Sequence, residues 1–201
     1  MRIMQRISAH SLAAALAFGA LGLSGCASQQ PAATSHHEAK AAQPAAAQKA
    51  NYFLVFHDNG RLYAFSDPAL YLLFLEHDEV PLTRTRIGGG PDGQTVIFGL
   101  TKKEAGLPLD APVVAEKFFD GKIGEVGAFY GEVIYNGRYY VFGEWQDMKD
   151  FLQHKEVAWT FTEIGAGPKG ETVIYALNKK TKNAGRPAPL IEAFNKLHSK
   201  K

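Results

Sequence analysis

Part of this chain is written twice. Asn59–Phe65 reads NGRLYAF, and 77 residues later Asn136–Phe142 reads NGRYYVF. FLEHDEV from Phe74 returns as FLQHKEV from Phe151, and IGGGPDGQTVIFGLTKK from Ile87 returns as IGAGPKGETVIYALNKK from Ile164. The offset is constant and needs no gap, and 25 of the 54 positions from Asn59 to Pro112 match their partners. Self-similarity on this scale marks a duplicated structural unit. Two copies are too few for an open solenoid, so they are expected to form a pseudo-twofold pair, sharing a core or facing each other.

Each copy divides into the same elements. YFLVFH from Tyr52 reads as a strand, Asn59-Gly60 as a type I′ turn, and RLYAF as the returning strand of a hairpin. Ser66, Asp67 and Pro68 then offer a cap and a first-turn proline to a helix over ALYLLFLEH. VPLTRTRI alternates and reads as a third strand; TVIFGL reads as a fourth, and VVAEKFF after Pro112 as a second helix. The second copy repeats this order through Asn136-Gly137 to PLIEAFNKL after Pro189. The expected fold is α+β: a ββαββα module with antiparallel sheets, present twice, over residues 51–122 and 123–201.

The glycine-rich segment between the third and fourth strands invites comparison with a phosphate loop. It lacks the lysine and hydroxyl of that motif, and a strand rather than a helix follows it. Gly88, Gly90, Pro91 and Gly93 persist as Gly165, Gly167, Pro168 and Gly170, while Gly89 relaxes to Ala166. The persistent positions call for unusual backbone angles or close approach. A hairpin connection is expected, and the alternative is a pair of loops whose amides hold an anion.

Ahead of the repeat stand two different segments. Arg2 and Arg6 precede an apolar stretch, SLAAALAFGALGL, that is too short to span a bilayer, and LSGC closes at Cys26. This ending resembles the lipobox of bacterial lipoproteins. The resemblance covers about the first 26 residues. It implies a signal peptide over 1–25, acylation (palmitate among the acyl chains) of Cys26, and anchorage to a lipid membrane. Ala27 after the cysteine implies the periplasmic face of an outer membrane. Residues 26–50 then form the lipidated cysteine and an Ala/Pro/Gln-rich tether that cannot build a core.

The charge balance follows. Lysine plus arginine is 22 and aspartate plus glutamate 20. Both arginines of the signal would be removed, so the mature chain carries 20 of each and has no basic bias toward nucleic acid. Cys26 is the only cysteine, so an acylated mature chain has neither disulfide nor thiol chemistry. Within 51–201 the only serines are Ser66, read as a cap, and Ser199, in the tail. A serine triad therefore has no nucleophile.

Three sets of residues remain as candidates. His77 and His154 end equivalent helices, with Glu79 and Glu156 two residues on; they could hold a metal, or simply favour helix C-termini. Arg84 and Arg86 stand where the second copy has Phe161 and Glu163, and could meet an acidic ligand or lie on a solvated strand. Leu70, Leu72 and Leu73 stand where the second copy has Asp147, Lys149 and Asp150. A helix apolar all round needs cover from outside its module, because each leucine left bare forgoes roughly 1.5 to 3 kcal/mol of burial. The sequence thus leads to an envelope lipoprotein acting as a binding or structural module. Its partner would be an envelope protein, a second copy in a homodimer, or a small apolar ligand. The alternative is a metal-binding protein or metal-dependent enzyme built on the paired His/Glu positions. No particular cofactor or reaction is indicated.

Overall fold

The computed structural model describes residues 51–123 and 127–199. Cys26, the lipobox and the segment 27–50 lie outside the described residues.

The first module contains β1 (Asn51–Asp58), β2 (Arg61–Phe65), α1 (Pro68–His77), β3 (Thr83–Arg86), β4 (Thr95–Gly99), α2 (Lys102–Ala105) and α3 (Val114–Phe119). The second contains β5 (Phe129–Tyr135), β6 (Arg138–Phe142), α4 (Trp145–His154), β7 (Trp159–Glu163), β8 (Thr172–Leu177) and α5 (Ala188–His198). The ββαββα order is therefore present twice. The one unforeseen helix, α2, is a single turn closed by a reciprocal cap between Thr101 and Glu104.

All eight strands join one sheet in the order β3-β4-β2-β1-β5-β6-β8-β7. The order reads the same from both edges, with β1 and β5 as the central pair. These two equivalent strands run parallel. A twofold axis that mirrors the order yet preserves strand direction must lie in the sheet, along the strands, between β1 and β5. Such an axis exchanges the two faces. The register does so residue by residue: β1 position i pairs with i+78, as Val55 with Val133, whereas its repeat partner is i+77. Equivalent residues therefore sit one step apart and point to opposite faces.

The core divides accordingly. On one face α3 and α4 cover Phe53, Val55, Phe98 and Val133, with Met148 and Phe151 buried from α4. On the other, α1 and α5 cover Leu54, Phe65, Val141 and Tyr175, with Tyr71 and Phe74 buried from α1 and Phe194 from α5. Each face thus takes one helix from each module, which makes the two copies a single folding unit. The central strands, buried on both faces, read as near-continuous apolar runs for this reason.

Local chemistry places the ends. The Asp67 side chain accepts from the amides of Ala69 and Leu70 and starts α1. Asp78 and Lys155, both near φ 59°, end α1 and α4 in the left-handed region. Asn59-Gly60 and Asn136-Gly137 all have positive φ, as a type I′ turn requires. The glycine-rich segments are hairpin connections. Gly88, Gly93, Gly165 and Gly170 take positive φ, whereas Gly90 and Gly167 allow close approach: a Cβ there would lie 2.4 Å from the Gln94 side chain and 2.6 Å from that of Glu171. The amides of Gly90, Asp92 and Gly93 donate to Gln94 O, Gln94 Oε1 and Gly90 O, which commits these three donors within the loop.

Candidate functional site

The two faces differ in closure. Between α1 and α5 runs a cleft of 1240 Å³. Its floor is Phe56, Ile134 and Tyr139 from the central strands, and its walls include Leu72 and Leu75 of α1 and Leu197 of α5. Asp58, Glu76 and Asp78 stand on the α1 side, and Lys169, Glu171 and Lys196 on the α5 side.

Beneath the cleft lies a buried carboxyl group. Glu132 in the middle of β5 is fully inaccessible. Its Oε1 accepts the Tyr71 hydroxyl and its Oε2 the Tyr130 hydroxyl, each at 2.6 Å. His198 Nε2 lies 3.1 and 3.0 Å from the two oxygens. An ionised carboxylate only accepts, so beside one all three neighbours donate and the imidazole proton sits on Nε2. Burial raises the Tyr71 and Tyr130 phenols well above their ordinary range, and the adjacent Glu132 charge adds to this. Both remain neutral donors. The His198 side chain is only 6% exposed and lines the cleft. Its Nδ1 has no hydrogen-bond partner among the described residues, where no buried side-chain nitrogen or oxygen is left unpaired. Nδ1 is therefore the side of the ring that meets the cleft. A carboxylate, two phenols and an imidazole in this arrangement hold one ring rigidly and polarise its free nitrogen.

The sequence-derived candidates fall as follows. Leu72 lines the cleft, Leu70 is half-buried, and Leu73 is exposed at 37%. Only Tyr71 and Phe74 of α1 are fully covered by the chain, so its own fold does not cover the leucine face completely. Arg84 and Arg86, in contrast, are committed within their own module. Arg84 donates to Glu116 at 3.0 Å and to Ala111 O at 2.9 Å. Arg86 pairs with Asp120 at 2.5 Å and lies 5.2 Å from the Phe98 ring centre. They pin the edge strand β3 to α3 rather than present free charge. Burial works to raise Asp120, yet the Arg86 hydrogen bond and charge leave it below the usual carboxylate range.

His77 and His154 occupy the last turns of α1 and α4. Those helices cover opposite faces, so the sheet separates the two histidines. His77 is 4.0 Å from Glu76. Among the described residues no group of three or more His, Cys, Asp or Glu is gathered closely enough to hold a metal ion.

Glu132 and His198 escaped the sequence reading. The signal was present. Glu132 interrupts FYGEVIY, a run otherwise built for a buried strand, and its repeat partner is Val55. Likewise Tyr130 replaces Phe53, Tyr71 replaces Met148, and His198 falls where the first copy has Gly121. Every polar member of the cluster is thus a departure from the repeat. Compared with family models, curated proteins and solved structures, the chain matches none.

Proposed function

We propose that this protein is a lipid-anchored envelope lipoprotein whose repeat domain binds a small apolar ligand in the cleft between α1 and α5. Acylated Cys26 is the anchor. Residues 27–50 are the link between that anchor and the repeat domain. The observation that carries the binding role is the cleft itself, a concavity of 1240 Å³ with an apolar floor of Phe56, Ile134 and Tyr139 and charged residues along both sides. The incomplete cover of the leucine-bearing helix supports the same reading, since a bound apolar body would bury Leu72 and Leu75.

Two measurements test the halves separately. Metabolic labelling with a palmitate analogue should mark the wild-type chain and not Cys26→Ser, and the variant should leave the membrane fraction. Label persisting in the variant contradicts the anchor. For the domain, native mass spectrometry of the protein purified from cells should reveal a copurifying apolar adduct, or uptake of an added one. Leu72→Lys, which copies the charge at Lys149 of the second module, should abolish it. Uptake unchanged in that variant removes the cleft from the account.

A further inference from the structure

The geometry points to the charge of the ligand: we infer that the cleft selects an amphipathic amine, with His198 Nδ1 accepting a hydrogen bond from its ammonium group. This rests on the cleft being the binding site and goes beyond it in naming the head group. Three independent features converge. First, His198 Nε2 lies 3.0 Å from Glu132, so a ring carrying its single proton on Nε2 turns a lone pair at Nδ1 to the cleft, and the carboxylate behind the ring makes that lone pair a stronger acceptor. Second, α1 ends at His77 and α5 at His198, and residues of both last turns line the cleft. The negative ends of two helix dipoles therefore meet there, which favours a cation. Third, four carboxylates line the cleft, Asp58, Glu76, Asp78 and Glu171, against two lysines. A carboxylate ligand would face the same field with the wrong sign. The apolar floor and walls receive the body of the molecule, so the class is a primary amine on an aliphatic or aromatic chain.

Other charged groups near His198 do not reverse this. Tyr71 from α1, Tyr130 from β5 and Tyr139 from β6 are neutral phenols. Lys196 lies two residues back on α5, exposed at the margin of the cleft.

The test uses one tail with three heads. Decylamine, decanol and decanoate are titrated below their aggregation limits into the full chain carrying Cys26→Ser, so that no acyl group or detergent competes. Decylamine is expected to bind about tenfold more tightly than decanol, and decanoate more weakly than either. His198→Phe should bring decylamine to the level of decanol, whereas His198→Gln, which retains an acceptor, should recover part of the preference. Glu76→Lys and Asp78→Lys change exposed residues outside the core, so they read the charge effect even where a His198 variant folds poorly. Both should weaken decylamine several-fold and improve decanoate. If decanoate binds as tightly as decylamine, or all three bind alike, the amine assignment is overturned while the cleft stands. If none binds, both fall.

Discussion

The two faces of the sheet began as copies and now differ in what fills them. On the α3/α4 face the space between the helices is filled, and a smaller cavity of 430 Å³ beside Leu82, Leu100 and Leu107 lies out at the β3 edge. The Trp145 ring lies so near Gly121 that a Cβ there would come within 3.2 Å of it. Phe151 packs on Tyr140 with ring centres 4.4 Å apart. Lys155 crosses from the end of α4 to Asp92 at 3.6 Å, and His57 stands edge-on to Tyr135. On the α1/α5 face the equivalents of Lys155 and Asp92 are Asp78 and Lys169, with the charges exchanged. Both line the open cleft, and neither is in an ion pair among the described residues. Where one face has Gly121 under a tryptophan, the other has His198 on a buried glutamate. Duplication supplied two equal frames, and substitutions at a handful of equivalent positions decided which one stayed open.

Restoring the symmetry is the strongest way to break this comparison. Glu132→Val installs the residue of the first module and leaves two phenols and an imidazole without their acceptor. Chemical denaturation should register a loss of about 3 to 5 kcal/mol, as for removal of one partner from a buried charged pair. Adding Tyr130→Phe and Tyr71→Met copies two more positions of the other face, leaving His198 in place, and should recover much of that loss, because both phenol donors go with the acceptor. A triple variant no more stable than the single one would mean that the cluster does not act as a unit.

Alkaline titration gives the next largest effect. Tyr71 and Tyr130 keep their protons in the fold at pH values where the unfolded chain, near its ordinary tyrosine range, releases them. The folded state then binds more protons, so stability falls as pH rises above about 10, by roughly 3 kcal/mol per pH unit for the pair. Stability that is flat between pH 10 and 11.5 would contradict the buried, neutral state of these phenols. Acid acts on the opposite face. Asp120 is depressed by Arg86, so its contribution is present above the ordinary carboxylate range and is lost as pH falls through its lower folded value. Detachment of α3, followed by amide exchange, should begin there.

Smaller effects sharpen the contrast. Leu72→Lys should change stability by less than about 1 kcal/mol, since the side chain is only half-buried, while removing ligand binding. Asp92→Asn breaks the Lys155 bridge on the filled face. Because Asp92 is largely exposed, the effect on stability should be the smallest of these and shrink in salt.

Much of the scaffold was legible because repetition and turn chemistry act locally. Asn59-Gly60, Asp67 with Pro68, and the glycine hairpins each specify a backbone conformation within a few residues. Pairing of the modules was legible only as a twofold. Its direction depends on β1 lying parallel to β5, a contact between residues 78 apart that no local pattern encodes. The site was less legible for the same reason. Arg84 and Arg86 looked unpartnered because Glu116 and Asp120 lie some 30 residues on, and His77 with His154 looked like a pair because sequence symmetry hides the exchange of faces. Glu132 was visible as an anomaly, a charge in an apolar run, but its partners Tyr71 and His198 come from opposite ends of the domain.

The most direct measurement is methyl NMR of the Cys26→Ser chain, with labelled Leu, Ile and Met, during titration with decylamine. The account predicts shifts at Leu72, Leu75, Ile134 and Leu197 around the open cleft, and none at Met148, Leu152 or Leu62 on the filled face. Shifts confined to the α3/α4 face, or spread equally over both, would contradict the division of this duplicated fold into one filled face and one binding face.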